Sequence, residues 1–275
     1  MELGEIWQEL GDGIYRRRYA FLDQNIGVVL GAEAALILDT RANPQQGEEI
    51  RADLARLTPL PVGWVFNTHY HWDHTFGNQA FPEAELWGHR LCGVELMQRG
   101  EEMLEEVLTR WVPAKDHAPY REIVFTPPTE LFETSAQIDL GNRTLDLAFL
   151  GSGHTNSDAI LHADGVTFAG DLIEEGGPPG FGDSYPLAWI DTLARLEEVC
   201  RPTVVPGHGD VVRTDFVAGT REQLLWLADT ARVASAHGLA VDDIDLTGAP
   251  YPEQTCREAL RRAYDELSSS RKFSQ

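Results

Sequence analysis

The stretch Phe66-Asn67-Thr68-His69-Tyr70-His71-Trp72-Asp73-His74-Thr75 constrains this chain more than any other. Four side chains able to bind metal, His69, His71, Asp73 and His74, fall within six positions, soon after the apolar run Val62-Gly63-Trp64-Val65-Phe66. That run reads as a buried strand, and a loop leaving a rigid strand can bring several imidazoles to one point. Neutral imidazole suits zinc or iron, and the carboxylate of Asp73 adds a harder oxygen, so the donors suffice for more than one first-row ion. With nine histidines in 275 residues, chance alone is a poor account of three within six positions.

The length allows a proper core, and the apolar content does not suggest disorder. Forty-four acidic against twenty-two basic residues give a formal net charge of −22. Such a surface repels polyanions, which argues against nucleic acid and anionic membranes as partners. A small-molecule substrate remains, because a bound cation reverses the potential locally. The segment Met1–Ile6 lacks the basic start and apolar centre of a secretory signal, and no apolar run approaches membrane-spanning length, so a cytoplasmic location is expected. Cys92, Cys200 and Cys256 are odd in number and far apart, as structural reduced thiols would be. Oligomeric state is not written in these features.

Taken in order, Ile14–Tyr19 reads as a strand, and residues 24–30 and 34–39 as a hairpin. Pro44 followed by Ile50, Leu54 and Leu57 at helical spacing gives a helix over 46–57 that returns to the strand at Val62, a β-α-β unit. In such units ligands gather at the carboxyl ends of the strands, where the histidine loop sits. Residues 84–88 form a short strand and 93–112 an acidic amphipathic helix, read first as solvated surface and second as a wall of the site. The proline-rich segment 112–130 reads as a loop or partial lid. Residues 137–150 give a second hairpin, 165–169 a strand running into Gly170-Asp171, and 176–186 a Gly/Pro loop. A helix over 189–199, a strand at 203–205 and helices over about 216–237 and 252–267 complete a two-sheet core covered by helices. One domain over 1–275 is expected, with its core at about 14–212 and C-terminal helices at about 216–267.

Three more strand ends offer one ligand each: His154 in Gly151-Ser152-Gly153-His154-Thr155, Asp171 in Gly170-Asp171, and His208 in Pro206-Gly207-His208-Gly209. The combined pattern resembles the metallo-β-lactamase superfamily over about residues 27–210. The resemblance implies an α/β fold, a four-layer αββα sandwich of two mixed sheets flanked by helices, with a dinuclear site at one edge. It implies that His69, His71 and His154 hold one metal, that Asp73, His74 and His208 hold the second, and that Asp171 bridges them. Asp39, at the end of an early strand, would orient ligands from behind. His89, His117, His162 and His237 match no motif and read as structural or surface residues, with His117 held in reserve because it lies in the possible lid segment.

Five histidines and two carboxylates on separate loops can ligate two ions and leave room for a shared water. Two divalent cations, zinc first and iron or manganese as alternatives, would stabilise a bridging hydroxide roughly 3.5–4 Å from ion to ion. Asp73 and Asp171 are then the carboxylates closest to the chemistry. His71 stands where flavodiiron-type oxygen reductases carry glutamate, and Asp171 where zinc β-lactamases usually carry Cys or Ser. The set is similar to that of glyoxalase II-type thioesterases, lactonases and phosphodiesterases, and a hydrolase of small esters, thioesters or lactones is the expected function. The competing readings are a mononuclear iron enzyme of the persulfide dioxygenase type, using His69, His154 and Asp171, and a β-lactam hydrolase.

Overall fold

A computed structural model describes residues 6–272; nearly all of the N-terminal segment used to judge a leader lies outside them. The β-α-β unit is present: β3 (Gln24–Leu30) and β4 (Ala35–Leu38) form the hairpin, and α1 (Pro44–Leu57) carries the chain to β5 (Val62–Asn67), parallel to β4. Asn43 caps α1 by accepting from Gln46 N at 3.0 Å, with Pro44 in the first turn where its missing N–H costs nothing. Strands β1 (Gln8–Gly11) and β2 (Ile14–Tyr19) extend this half on one side. Beyond β5, β6 (Glu85–His89) and β7 (Glu130–Phe132) extend it on the other. The short α2 (Trp72–Thr75) follows β5, and α3 (Arg90–Glu106) follows β6.

The second half contains β8 (Ser135–Asp139), β9 (Thr144–Phe149), β10 (Ala159–Ala163) and β11 (Val166–Glu174), antiparallel in sequence order. Then α4 (Pro186–Val199) crosses to β12 (Thr203–His208), parallel to β11, and α5 (Thr214–Ala236) and α6 (Glu253–Lys272) close the chain. The two halves are not separate sheets: β12 pairs with β3 through His208 and Gln24, making one mixed network of twelve strands. The fold is therefore α/β with a large mixed sheet and helices against it.

Apolar side chains explain the stacking. Leu36, Leu38 and Phe66 of the first half meet Leu145, Leu161 and Val205 of the second. On its other face the first half receives Ile50 and Leu54 of α1 against Val28, Ile37 and Val65. The second half receives Leu193, Leu227 and Leu260 of the three C-terminal helices against Ile160 and Leu172. Each such leucine, fully buried, contributes about 1.5–3 kcal/mol. No described helix is long and apolar enough to cross a membrane. The three cysteines are free, two of them buried.

Sequence periodicity missed β10, whose five residues are buried on both faces and so show no alternation. It also ended the next strand too early. Gly170, at φ +53°, makes an irregularity between Phe168 and Gly170 that reads as a turn, yet β11 continues past it to Glu174. Asp171 consequently projects from within a strand. The acidic helix ends sooner than its apolar spacing predicts, giving way to a wider turn at Val107–Trp111. Residues 112–130 contain two short 3-10 turns, and Tyr120 packs them onto Val107 and Ala42.

Candidate metal centre

All seven expected ligands converge where the two strand halves meet. The side chains of His69, His71, His154 and Asp171 form one group and those of Asp73, His74 and His208 another, with ligand atoms within 4.8 Å of one another in each group. Asp171 touches both: Oδ2 lies 3.3 Å from His208 Nε2 and 3.4 Å from His154 Nε2, while Oδ1 lies 3.4 Å from His74 Nε2. Asp73 Oδ2 sits 3.3 Å from Nε2 of both His74 and His208.

The local sequence explains the convergence. β5 delivers His69 immediately beyond its end, His71 occupies the N-cap position of α2, and Asp73 and His74 lie in its single turn. That turn is clamped from beneath. Asn67 and Asn78 exchange side-chain hydrogen bonds at 2.7 and 3.1 Å, Asn67 Nδ2 donates to His74 O at 3.1 Å, and Gln24 Nε2 donates to Asp73 O. On β12, Gly207 is required because any side chain there would collide with Asp171 Oδ1. The turn carrying His154 is held by Asp158, which accepts from Thr155 N and, at 2.6 Å, from Thr155 Oγ1.

Each imidazole has one nitrogen engaged behind the site, which fixes the other toward it. His74 Nδ1 donates to Asp39 Oδ2 at 2.8 Å, His208 Nδ1 to Leu22 O at 2.8 Å, and His154 Nδ1 to Gly180 O at 3.1 Å. Thr68 Oγ1 spends its proton on Asp39 at 2.8 Å and so accepts from His69 Nδ1 at 3.1 Å. His71 is reversed: its Nε2 donates to Asp183 Oδ1 at 3.0 Å, leaving Nδ1 inward. Asp39 is itself held in the left-handed region at φ +62°, and its Oδ1 accepts from Thr68 N at 2.8 Å.

Electrostatics differ from one imidazole to the next. Burial pushes His69 well below its ordinary pKa and His154 down to about 4, favouring the neutral ligand form. Burial also opposes charge on His74 and His208, but Asp171 and Asp73 outweigh it and raise both. It opposes charge on His71 too, but Asp183 outweighs it and raises that group. Asp73 and Asp171 resist burial because neighbouring imidazoles hold them well below the carboxylate range.

The donor set fits metal. His69 Nε2 and Asp171 Oδ1 are buried with no hydrogen-bond partner. His154 Nε2 and His71 Nδ1 face each other at 2.8 Å, and with their other nitrogens engaged outside, both could ligate one cation between the rings. Buried polar atoms left in this way are costly unless an ion or water completes them. A cavity of about 660 Å³ opens above, its floor formed by His71, Asp73, His154, Asp171 and His208.

Sequence reasoning missed Asp183, which lies in the 176–186 loop, 112 residues from His71. It accepts from Tyr70 Oη and Arg99 Nη1 as well. A lone aspartate in a Gly/Pro loop carries no local signal, so it was unreadable; Asn67 and Asn78, flanking the histidines, were not. The four remaining histidines are structural: His89 stacks on Phe149, His162 pairs with Thr167, and His117 and His237 donate to Val112 O and Val233 O. His117 does not line the cavity. The cavity is walled by the end of α3 with the turn after it and by the segment 174–183, and residues 112–130 do not line it. Phe181 and Trp189 are core residues.

Comparison with known proteins adds four observations. The family model described as metallo-beta-lactamase superfamily matches residues 19–208. The hydroxyacylglutathione hydrolase of Thermosynechococcus vestitus is 27% identical over 169 residues, 59% of this chain and 55% of that protein, so the match spans little more than half that relative's length. The metallo-beta-lactamase type 2 of Bacteroides fragilis is 24% identical over 213 residues, 74% of this chain and 76% of that one. Among solved structures, the metallo-beta-lactamase from Pontibacter korlensis superposes with a TM-score of 0.65 at 18% identity, over 80% of this chain and 98% of that one, a likeness of fold alone.

Proposed function

Because this chain belongs to the metallo-beta-lactamase superfamily, we propose that it is a dinuclear metallo-hydrolase of small esters, thioesters or lactones. The observation that carries this reading is the sharing of Asp171 between two ligand groups beneath an open cavity. Hydroxyacylglutathione hydrolase among the relatives supports carbonyl hydrolysis over other chemistries of the superfamily. His69, His71 and His154 would hold one ion, Asp73, His74 and His208 the other, and Asp171 both. When bound, such ions supply hydroxide near neutral pH and a Lewis acid for the carbonyl oxygen. The balanced reaction is R–CO–XR′ + H₂O → R–CO₂H + HXR′.

The chain's own part is orientation. Asp39, Asp183, Thr68, Leu22 O and Gly180 O fix which nitrogen of each imidazole points inward. Asp73 Oδ2, 3.3 Å from Nε2 of both His74 and His208, is held ionised by those imidazoles, the form in which a carboxylate ligates. Trp72 and Met103 on the cavity wall limit water's approach from one side. The test is metal per chain by elemental analysis, followed by hydrolysis of thioesters, lactones, esters and β-lactams. About two zinc ions per chain and turnover of a carbonyl ester fit the reading. One iron per chain, with oxygen consumption on a persulfide and no ester turnover, would replace it with the persulfide dioxygenase type.

A further inference from the structure

The wall facing the ligand groups is built around an unusual turn. Val112 N donates to Val107 O at 3.0 Å, a bond one residue wider than an α-helix makes. Widened turns re-aim side chains and recur at functional sites. This one sets Trp111 on the cavity wall with 56% of its surface exposed. Its ring centre lies 6.3 Å from that of Trp72, which meets Phe21 edge-on at 6.2 Å. Trp72 directly precedes Asp73, so an aromatic shelf leads from the mouth of the cavity to the ligand groups. Met103 and Val107 continue its apolar side. Trp111, Trp72, Met103 and Val107 together make a contiguous apolar strip on one cavity wall, the lining that small-molecule sites use.

Charge narrows the ligand further. Both arginines on the cavity are committed, Arg110 to Glu106 and Arg99 to Asp183, each at 2.9 Å. Glu102, Glu175 and Glu258 line the same space. Away from the ligand groups, a carboxylate on the substrate would meet these acids, and each lining arginine already sits beside an acid of its own. Resting on the hydrolase reading, we propose that the substrate class is a carbonyl ester whose distal group is apolar or aromatic and carries no negative charge, seated on Trp111 and Trp72.

The test compares three acetate esters of one straight-chain alcohol that differ only in the group at the far end of that chain, methyl, phenyl or carboxylate, on the metal-loaded protein and on Trp111→Ala and Trp111→Phe. The phenyl ester should exceed the carboxylate ester in kcat/KM by about tenfold or more. Trp111→Ala should lose about tenfold on the phenyl ester alone, with Trp111→Phe recovering most of it. Calorimetric titration with N-benzylacetamide reads the same shelf without turnover. If esters are cleaved but the carboxylate ester matches the phenyl one, or Trp111→Ala lowers all three alike, the substrate class is wrong and the hydrolase reading stands. If neither these esters nor a thioester or lactone is cleaved yet N-benzylacetamide binds in a Trp111-dependent way, the hydrolase reading falls and the shelf stands. If neither occurs, both fall.

Discussion

The two ligand groups are built from similar side chains and supported in different ways. His74 of the second group leans on Asp39 at the end of β4, and His208 on a backbone carbonyl beside β3. In the first group, His71 and His154 lean on Asp183 and Gly180, both in the 176–186 loop. The second group is thus tied to the sheet, while the first is tied to the sheet at His69, through Thr68 and Asp39, and to a loop that bounds the cavity at His71 and His154. The difference predicts that the two ligand groups can be perturbed separately, and that movement of the loop acts first on His71 and His154.

The largest effect tests whether the groups are joined at all. Asp171→Ala should strip metal from both positions and lower hydrolysis by roughly 10³-fold or more, whereas Asp73→Ala should empty the second position only. Elemental analysis of metal per chain checks this, and equal loss in the two variants would mean the groups act as one unit. Next come the supports. Asp183→Asn and Asp39→Asn should each weaken metal binding by about 10–100-fold, the first at the His71 position and the second at the His74 position. Competition with a chelator should then show two separable steps in wild type, with a different step displaced in each variant.

A smaller, pH-dependent effect belongs to the first group alone. Burial raises the Asp158 carboxyl to about 7, against hydrogen bonds from Thr155 that favour its charged form. The native state therefore keeps a proton that the unfolded chain has lost above its ordinary 3.8. Stability from this group is full at the acid end and declines as pH rises from 3.8 to about 7. Denaturation midpoints across that range should show the decline in wild type and a flatter profile in Asp158→Asn. The smallest change is in the scaffold common to both groups: Asn43→Ala should cost about 1 kcal/mol through loss of the α1 cap, with metal content unchanged.

What could be read from residues alone follows from distance along the chain. Strand β5 and the ligands that follow it are local, so apolar run, spacing and donor chemistry suffice to find His69, His71, Asp73 and His74. His154, Asp171 and His208 needed the combined motifs and their resemblance to a family. Asp39 came from that same resemblance, since an aspartate after an apolar run is ordinary by itself. Strand β10 was hidden because burial on both faces erases alternation, and the full length of β11 because an irregularity at Gly170 imitates a turn.

By itself the sequence determined the chemistry of the donors and the β-α-β frame that carries half of them, because both depend on neighbours in the chain. The tertiary structure alone decided the rest. It joined the strands into one network through His208 and Gln24, brought Asp183 across 112 residues to turn His71, and set Trp111 against Trp72 on the cavity wall. Those outcomes rest on packing and hydrogen bonds between segments far apart in sequence, which leave no local pattern to read.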